Sequence, residues 1–251
     1  MGKISEILSS IQEQRIENEK KLEKFERLAV HMVEENKKVN ITSILDEEGI
    51  ATKHFADSIS LLRLPELQKE GLRLLDVGCG GGFPGLPLAI MREDFDLVML
   101  DSTEKKIKYV AETAKLLELF GVSAISGRAE DLAQKTKGYR ENFDVVTSRA
   151  VARLSVLSEI CLPFVKVGGY FVAMKAQSAA EELNEAKKGF KTLGGELVRC
   201  ESVPFTFDNI ESSQALKDFS SANRTLIIVK KIKPTPQEYP RVWARITKKP
   251  L

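Results

Sequence analysis

From Leu72 onward the chain alternates between short, almost wholly apolar runs and segments with helical spacing, and this alternation constrains the fold more than any other feature. Leu72 to Val77, Phe95 to Leu100, Val122 to Ser126, Phe143 to Thr147 and Tyr170 to Met174 read as strands. Between them, Lys105 to Leu119, Ala129 to Lys135, Leu154 to Val165 and Ala179 to Leu193 read as helices. Strands that are apolar on both faces must be covered on both faces, so this βαβα order predicts a parallel sheet between two helical layers. Glu196 to Val203 and Thr225 to Lys231 follow as two more strands with no helical pattern between them. Such a hairpin-like finish places an antiparallel strand in an otherwise parallel sheet, unlike a plain dinucleotide-binding fold.

Ahead of the sheet, Ile4, Ile7, Leu8 and Ile11, then Leu22, Phe25, Leu28, Ala29, Met32 and Val33, lie at helical spacing. Two amphipathic helices follow, whose interleaved charges read as a solvated face. Asp46 can cap a third helix running through Lys53-His54-Phe55 to about Leu62. The expected organisation is a helical cap over residues 1–64, a Rossmann-like domain over 65–232 and a basic tail over 233–251. Three scattered cysteines and two histidines argue against a disulfide framework or a zinc site. The charged N-terminus lacks a secretory pattern, and the longest uncharged run, Val77 to Met91, holds five glycines and two prolines, poor material for a membrane helix. A soluble cytoplasmic protein with no membrane partner is expected.

The first strand ends in Asp76-Val77-Gly78-Cys79-Gly80-Gly81-Gly82-Phe83-Pro84-Gly85, where a doubly wound sheet presents its ligand crevice. Glycines at 78, 80 and 82 permit positive φ and close approach of a ligand to the backbone. Counted from the strand end, Phe83 stands where the third glycine of a dinucleotide fingerprint belongs. Asp76, just before the turn, would repel a pyrophosphate but welcome an ammonium group. Asp101 ends the second strand 25 residues later, where an acidic side chain takes ribose hydroxyls. Ala129 and Glu130 follow the third strand, where adenine edges are met. An ammonium at one end and an adenosine at the other describe S-adenosylmethionine better than NAD. The plainer alternative is that Asp76 caps the turn and Glu130 starts a helix.

A sulfonium methyl is already activated, so such an enzyme supplies positioning and desolvation, worth on the order of 7 kcal/mol. After the fourth strand the chain reads Thr147-Ser148-Arg149-Ala150-Val151-Ala152-Arg153, not the Asp/Asn-Pro-Pro-aromatic signature used on exocyclic amines, and Cys161 is followed by leucine rather than paired with a proline. An acceptor that is already nucleophilic fits better. Guanine N7 has an in-plane lone pair and loses no proton, so it requires no general base. Arg149, Arg153, Lys166 and Lys175 fall around the ends of strands four and five; Arg149 suits a phosphate or cofactor carboxylate, and a surface cation is the alternative for each. His54 and Asp57, at i and i+3, suit a hydrogen bond between cap and domain rather than catalysis.

With these residues in view, the chain resembles the bacterial ribosomal small-subunit methyltransferase family first named glucose-inhibited division protein B. The resemblance is carried by Asn40-Ile41-Thr42, Lys53-His54-Phe55 with Asp57-Ser58, Asp76 through Pro87 including Gly82-Phe83-Pro84-Gly85, Arg128-Ala129-Glu130, Ser148-Arg149-Ala150 and Leu193-Gly194-Gly195. It implies an α/β, class I S-adenosylmethionine-dependent methyltransferase fold with an N-terminal helical cap, acting as a monomer on guanine N7 in the decoding-region loop of 16S ribosomal RNA or of the small subunit. It also implies cofactor contacts from Gly78, Gly80, Phe83, Ala129, Glu130 and Arg149, positioning by Arg149 and His54, and RNA contacts from Lys53, Arg153, Lys175 and the tail residues Arg241, Lys248 and Lys249. Tyr239-Pro240-Arg241 and Lys248-Lys249-Pro250-Leu251 match the family's tail, but Val242-Trp243-Ala244-Arg245-Ile246-Thr247 replaces its usual small, flexible stretch.

A methyltransferase for a small molecule or protein, an NAD-dependent oxidoreductase and a non-catalytic RNA-binding protein are the competing readings. The net charge of +2 does not decide among them, because it averages over an uneven distribution. Lys230 to Leu251 holds seven basic residues against the single acid Glu238, a local charge of +6 in which Tyr239 and Trp243 are placed to stack on unpaired bases.

Overall fold

A computed structural model of the protein describes residues 2–134, 138–149, 152–175, 179–208, 213–222 and 224–251. Among the described residues seven strands form one sheet: β1 (Arg73–Val77), β2 (Asp96–Asp101), β3 (Val122–Ser126), β4 (Phe143–Arg149), β5 (Val165–Lys175), β6 (Gly195–Ser202) and β7 (Thr225–Lys231). Their spatial order is β3-β2-β1-β4-β5-β7-β6, with the first five parallel and β7 antiparallel to both β5 and β6. The order reverses between β1 and β4, so the carboxyl ends of these two strands frame the crevice of an open α/β sheet.

One face of the sheet is covered by the N-terminal helices α1 (Lys3–Ser10) and α2 (Glu19–Val39), followed by α5 (Gly85–Met91) and α6 (Glu104–Leu116). Ile7, Phe25, Met32, Phe55, Leu86 and Val110 join Leu74, Leu97 and Met99 of the strands in one continuous apolar core. Asn18 starts α2 by accepting the Lys21 N–H at 3.1 Å, and Asn40 ends it in the left-handed region at φ 52°. The expected third helix is present from Glu47 to Arg63, capped by Asp46, whose Oδ1 accepts the Gly49 N–H at 2.7 Å. It is not uniform: α3 (Glu47–Gly49) widens into π turns over Ile50–Ala56 before α4 (Asp57–Ile59) and a 3₁₀ finish. π turns inside helices are rare and frequently mark functional sites; here they carry Lys53 and His54.

The other face is covered by α7 (Ala129–Leu132), α8 (Leu154–Cys161) and α9 (Ala179–Thr192), whose Leu157, Ile160, Ala186 and Phe190 meet Leu75, Val146 and Phe171. The helix expected over Ala129 to Lys135 is shorter, ending at Leu132 with Ala133 in a turn; Lys135 itself and the Ala150-Val151 pair lie outside the described residues.

Two readings of the strands need correction. The segment between β6 and β7 contains a helix, α10 (Gln214–Ser221), capped by Ser213, so the finish is not a simple hairpin. Strand β5 begins at Val165 rather than Tyr170, and Gly168 turns at φ 91° within it. Lys166 and Lys175 therefore stand toward opposite ends of β5, with an irregular turn of the strand between them. The basic tail, whose path the sequence left open, forms α11 (Trp243–Lys248), whose Ile246 is completely buried.

Candidate active site

The glycine turn is fastened to the end of β2. Gly78 and Cys79 donate their N–H groups to the Leu100 carbonyl at 2.7 and 3.0 Å, and Gly80 donates to Asp101 Oδ2 at 3.0 Å. Gly78, Gly80 and Gly82 have φ of 73°, 55° and 94°, the left-handed conformation that glycine alone adopts freely. A Cβ on Gly82 would sit 2.3 Å from Leu86 Cδ1, whereas one on Gly80 would meet nothing nearer than 4.0 Å. Gly82 is therefore needed for packing, and Gly80 keeps open space beside the turn.

That space belongs to a cavity of about 480 Å³ at the switch point of the sheet, a volume in the range of small-molecule sites. From the sequence-predicted set, Gly78, Gly80, Phe83, Asp101, Ala129, Glu130, Arg149 and His54 all line it. Asp101 also accepts the Thr103 N–H at 2.8 Å, which orients its carboxylate.

Asp76 does not reach the lining. It is fully buried beneath the turn, where Oδ2 accepts the Gly85 N–H at 3.0 Å and so caps α5 from the neighbouring strand. Its Oδ1 is buried without a partner, and burial pushes the carboxyl up to about 7. The structural alternative of a turn cap is thus realised for Oδ2, while Oδ1 leaves an uncompensated polar atom under the cavity floor.

At the end of β4, Arg149 crosses to the cap. Its guanidinium donates to the Lys53 carbonyl at 2.8 Å and to Asp57 Oδ2 at 3.0 Å, and Arg224 closes on Asp57 Oδ1 at 3.3 Å. A second Arg149 nitrogen lies 3.3 Å from His54 Nδ1. Arginine has no acceptor, so Nδ1 must be the unprotonated nitrogen and Nε2 carries the hydrogen, which it donates to Thr42 Oγ1 at 2.8 Å. The ring stacks on Phe83 with centroids 4.6 Å apart and 10° between planes. Burial first, then the charges of Arg149 and Lys53, lower the His54 pKa to about 4, so the imidazole is neutral.

The residues expected to meet RNA divide sharply. Lys53, Lys248 and Lys249 are exposed. One guanidinium nitrogen of Arg153 donates to both carboxylate oxygens of Glu185, at 2.7 and 2.6 Å, on the surface. Lys175 is 9% exposed and donates to the Ala152 carbonyl and to Glu182. Arg241 is closed on Glu159, which is completely buried, through its backbone N–H at 2.9 Å and two guanidinium contacts of 2.8 and 2.5 Å. As they stand, Lys175 and Arg241 are anchors within the fold rather than cations presented to a phosphate.

Sequence reasoning missed Ile41, Ser102, Lys106, Ile160 and Trp243 as parts of the cavity wall. Ser102 and Lys106 were within reach of it, since they follow Asp101 at the carboxyl end of β2. Trp243 was not, because its position depends on how the tail folds back.

Sheet order, glycine turn and cavity together define a class I methyltransferase fold, and similar folds are found among solved structures at low identity. An S-adenosylmethionine-dependent methyltransferase from Aquifex aeolicus superposes with a TM-score of 0.51 at 18% identity, over 78% of this chain and 97% of its own. The [4+2]-cyclase SpnF gives 0.53 at 19% identity, over 71% and 82%. The model of the GidB family, described as rRNA small subunit methyltransferase G, matches residues 21–208, and the chain belongs to that family. The ribosomal RNA small subunit methyltransferase G of Clostridium tetani is 43% identical over 93% of this chain and 92% of its own. That of Lactobacillus delbrueckii subsp. bulgaricus is 42% identical over 97% and 93%.

Proposed function

We propose that the protein transfers a methyl group from S-adenosylmethionine to N7 of a guanine in 16S ribosomal RNA, with no general base. Family membership supports the RNA substrate, and the engagement of the groups facing the cavity supports the ring nitrogen. His54 offers no lone pair, because Nδ1 is taken by Arg149 and Nε2 carries the hydrogen. Cys79 lies in the cavity wall but is buried, and burial holds its thiol far above the range in which a thiolate forms. Asp101 holds two backbone N–H groups. A site built in this way suits an acceptor that brings its own in-plane lone pair and releases no proton.

The cavity residues fit the cofactor. The absent Cβ at Gly80 leaves room for a ligand against the turn, and the unpartnered Oδ1 of Asp76 supplies negative potential below it. Asp101 would take the ribose hydroxyls, Ala129 and Glu130 the base, and Arg149 the carboxylate. The cofactor brings the sulfonium-bound methyl. The chain's own contribution is to fix the acceptor in line with it and to exclude water, which Phe83, stacked on His54 and buried, is placed to do.

The test supplies labelled S-adenosylmethionine to the protein with intact small ribosomal subunits or protein-free 16S RNA, and maps the product by N7-specific strand scission. Label at one guanine N7 is the expected result. Absence of label in both substrates would overturn the RNA reading, and label on an exocyclic amine would overturn the mechanism.

A further inference from the structure

The C-terminal tail reaches the cavity through Trp243, which forms part of its wall together with Ala129 and Glu130 of α7 and Ile160 of α8. The backbone on either side is pinned. Gln134, just past α7, donates to the Pro240 carbonyl at 3.4 Å, Arg140 donates to the Tyr239 carbonyl at 2.7 Å, and Arg241 is locked to Glu159 of α8. Three residues beyond Trp243, Ile246 is completely buried against the same layer. Despite these anchors Trp243 stays 36% exposed, with an aromatic surface at the rim of the cavity.

Ribose-directed Asp101 sits at the end of β2, and the backbone leading to Trp243 is held by Gln134 and Arg140, which follow β3, the strand whose end carries the base-directed Ala129 and Glu130, so the tail is tied to the end of the cavity that receives the base. The methionine-directed groups, Arg149 and His54, lie on the other side of the glycine turn, at β4 and the cap. We propose that Trp243 is the stacking platform for the adenine ring, and hence that the tail of this chain is a specificity element of the cofactor site. The proposal rests on the reading of the cavity as the S-adenosylmethionine site. It assigns a role to the stretch where the tail departs from the family's small, flexible pattern. An aromatic face is tolerant of which base it carries, but it discriminates a purine nucleoside from ligands without a flat ring.

Trp243 is the only tryptophan in the chain, so the full-length protein reports on it directly. S-adenosylhomocysteine, adenosine and methionine are titrated separately while tryptophan emission is followed, and affinities are measured in parallel by calorimetry. The expected result is a saturable change in emission with S-adenosylhomocysteine and with adenosine, and none with methionine. Trp243→Ala is expected to weaken S-adenosylhomocysteine about tenfold, and Trp243→Phe to restore it to within about threefold. Binding heat without a change in emission, a response to methionine rather than adenosine, or unchanged affinity in Trp243→Ala would each overturn the proposal. The emission measurement uses the unaltered chain, so it decides the matter even if Trp243→Ala fails to fold. Failure of the unaltered protein to bind S-adenosylhomocysteine at all would instead overturn the cofactor reading on which the proposal rests.

Discussion

Arg241→Ala separates a structural anchor from an RNA contact more cleanly than any other substitution. Glu159 is 0% exposed and Arg241 14% exposed, and the pair is joined by three short contacts, one of them from the backbone. Removing the guanidinium leaves a buried carboxylate with a single N–H donor, and breaking such a pair costs about 3 to 5 kcal/mol. For a chain of this length each kcal/mol lowers Tm by roughly 2–4 °C, so a fall of about 6 to 20 °C is expected in thermal unfolding, with a matching shift of the urea midpoint. Glu159→Gln together with Arg241→Ala removes both charges, and the double variant should recover part of the loss. Were Arg241 a phosphate contact presented to solvent, the outcome would be different. Stability would change by less than about 1 kcal/mol and the log-log salt slope of RNA binding would fall by about 0.7 to 0.9. A stable Arg241→Ala protein with a reduced salt slope would refute the reasoning.

Three other expectations follow from the same geometry. The Asp76 carboxyl titrates near 7 in the fold and 3.8 in the unfolded chain, so the folded state holds the proton between these values; its contribution to stability is full below 3.8 and is lost as pH rises through about 7. Asp76→Asn should therefore be more stable than the parent at pH 8 by up to about 4 kcal/mol, with the gap closing near pH 4, and equal urea midpoints at pH 8 would refute the assignment. His54 behaves oppositely: its folded pKa of about 4 lies below 6.5, so stability falls as pH drops through that window, and His54→Gln should flatten the fall. Because its lone pair is engaged, kcat at saturating substrate should be level from about pH 6 to 8, and an inflection abolished by His54→Gln would count against base-free transfer. Gly80→Val should reduce S-adenosylhomocysteine affinity at least tenfold by filling the space beside the turn, while φ of 55° costs about 1 to 2 kcal/mol of stability; a change in melting alone would show that the turn does not face the ligand.

The sheet was legible because its strands are buried on both faces and therefore read as unbroken apolar runs between helical patterns. Helix α10 was not, since it is only eight residues long and its apolar face is a single pair, Leu216 and Phe219, one turn apart. The first half of β5 was hidden in the same way: Lys166, Val167 and Gly168 are exposed, and the strand's apolar signature begins only where β4 and β7 flank it. In the site, the glycines, Asp101, Glu130 and Arg149 were readable because each stands at a strand end and strand ends converge by topology. Ion pairing was not readable from local sequence. Glu159 and Arg241 are 82 residues apart and Arg149 and Asp57 are 92 apart, and nothing near either member announces the other.

These long-range pairs change the meaning of the basic tail. Of the seven cations from Lys230 to Leu251, Lys231 at the end of β7 is completely buried, donating to the Leu162 carbonyl and to Thr235, and Arg241 is closed on Glu159. Arg140 holds the Thr235, Pro236 and Tyr239 carbonyls, so the chain between these anchors is strapped to the sheet rather than free. What faces solvent near the end is Arg245, Lys248 and Lys249, on or beside a helix seated by Ile246. Cations on a seated element lose less entropy on meeting phosphates than cations on a loose arm, so fewer of them suffice for a given affinity. The same seat carries Trp243 at the cavity rim. Folding the tail back thus commits Arg241 to an internal anchor and fixes the remaining cations at a set distance from the cavity, an arrangement a mobile polycation does not provide.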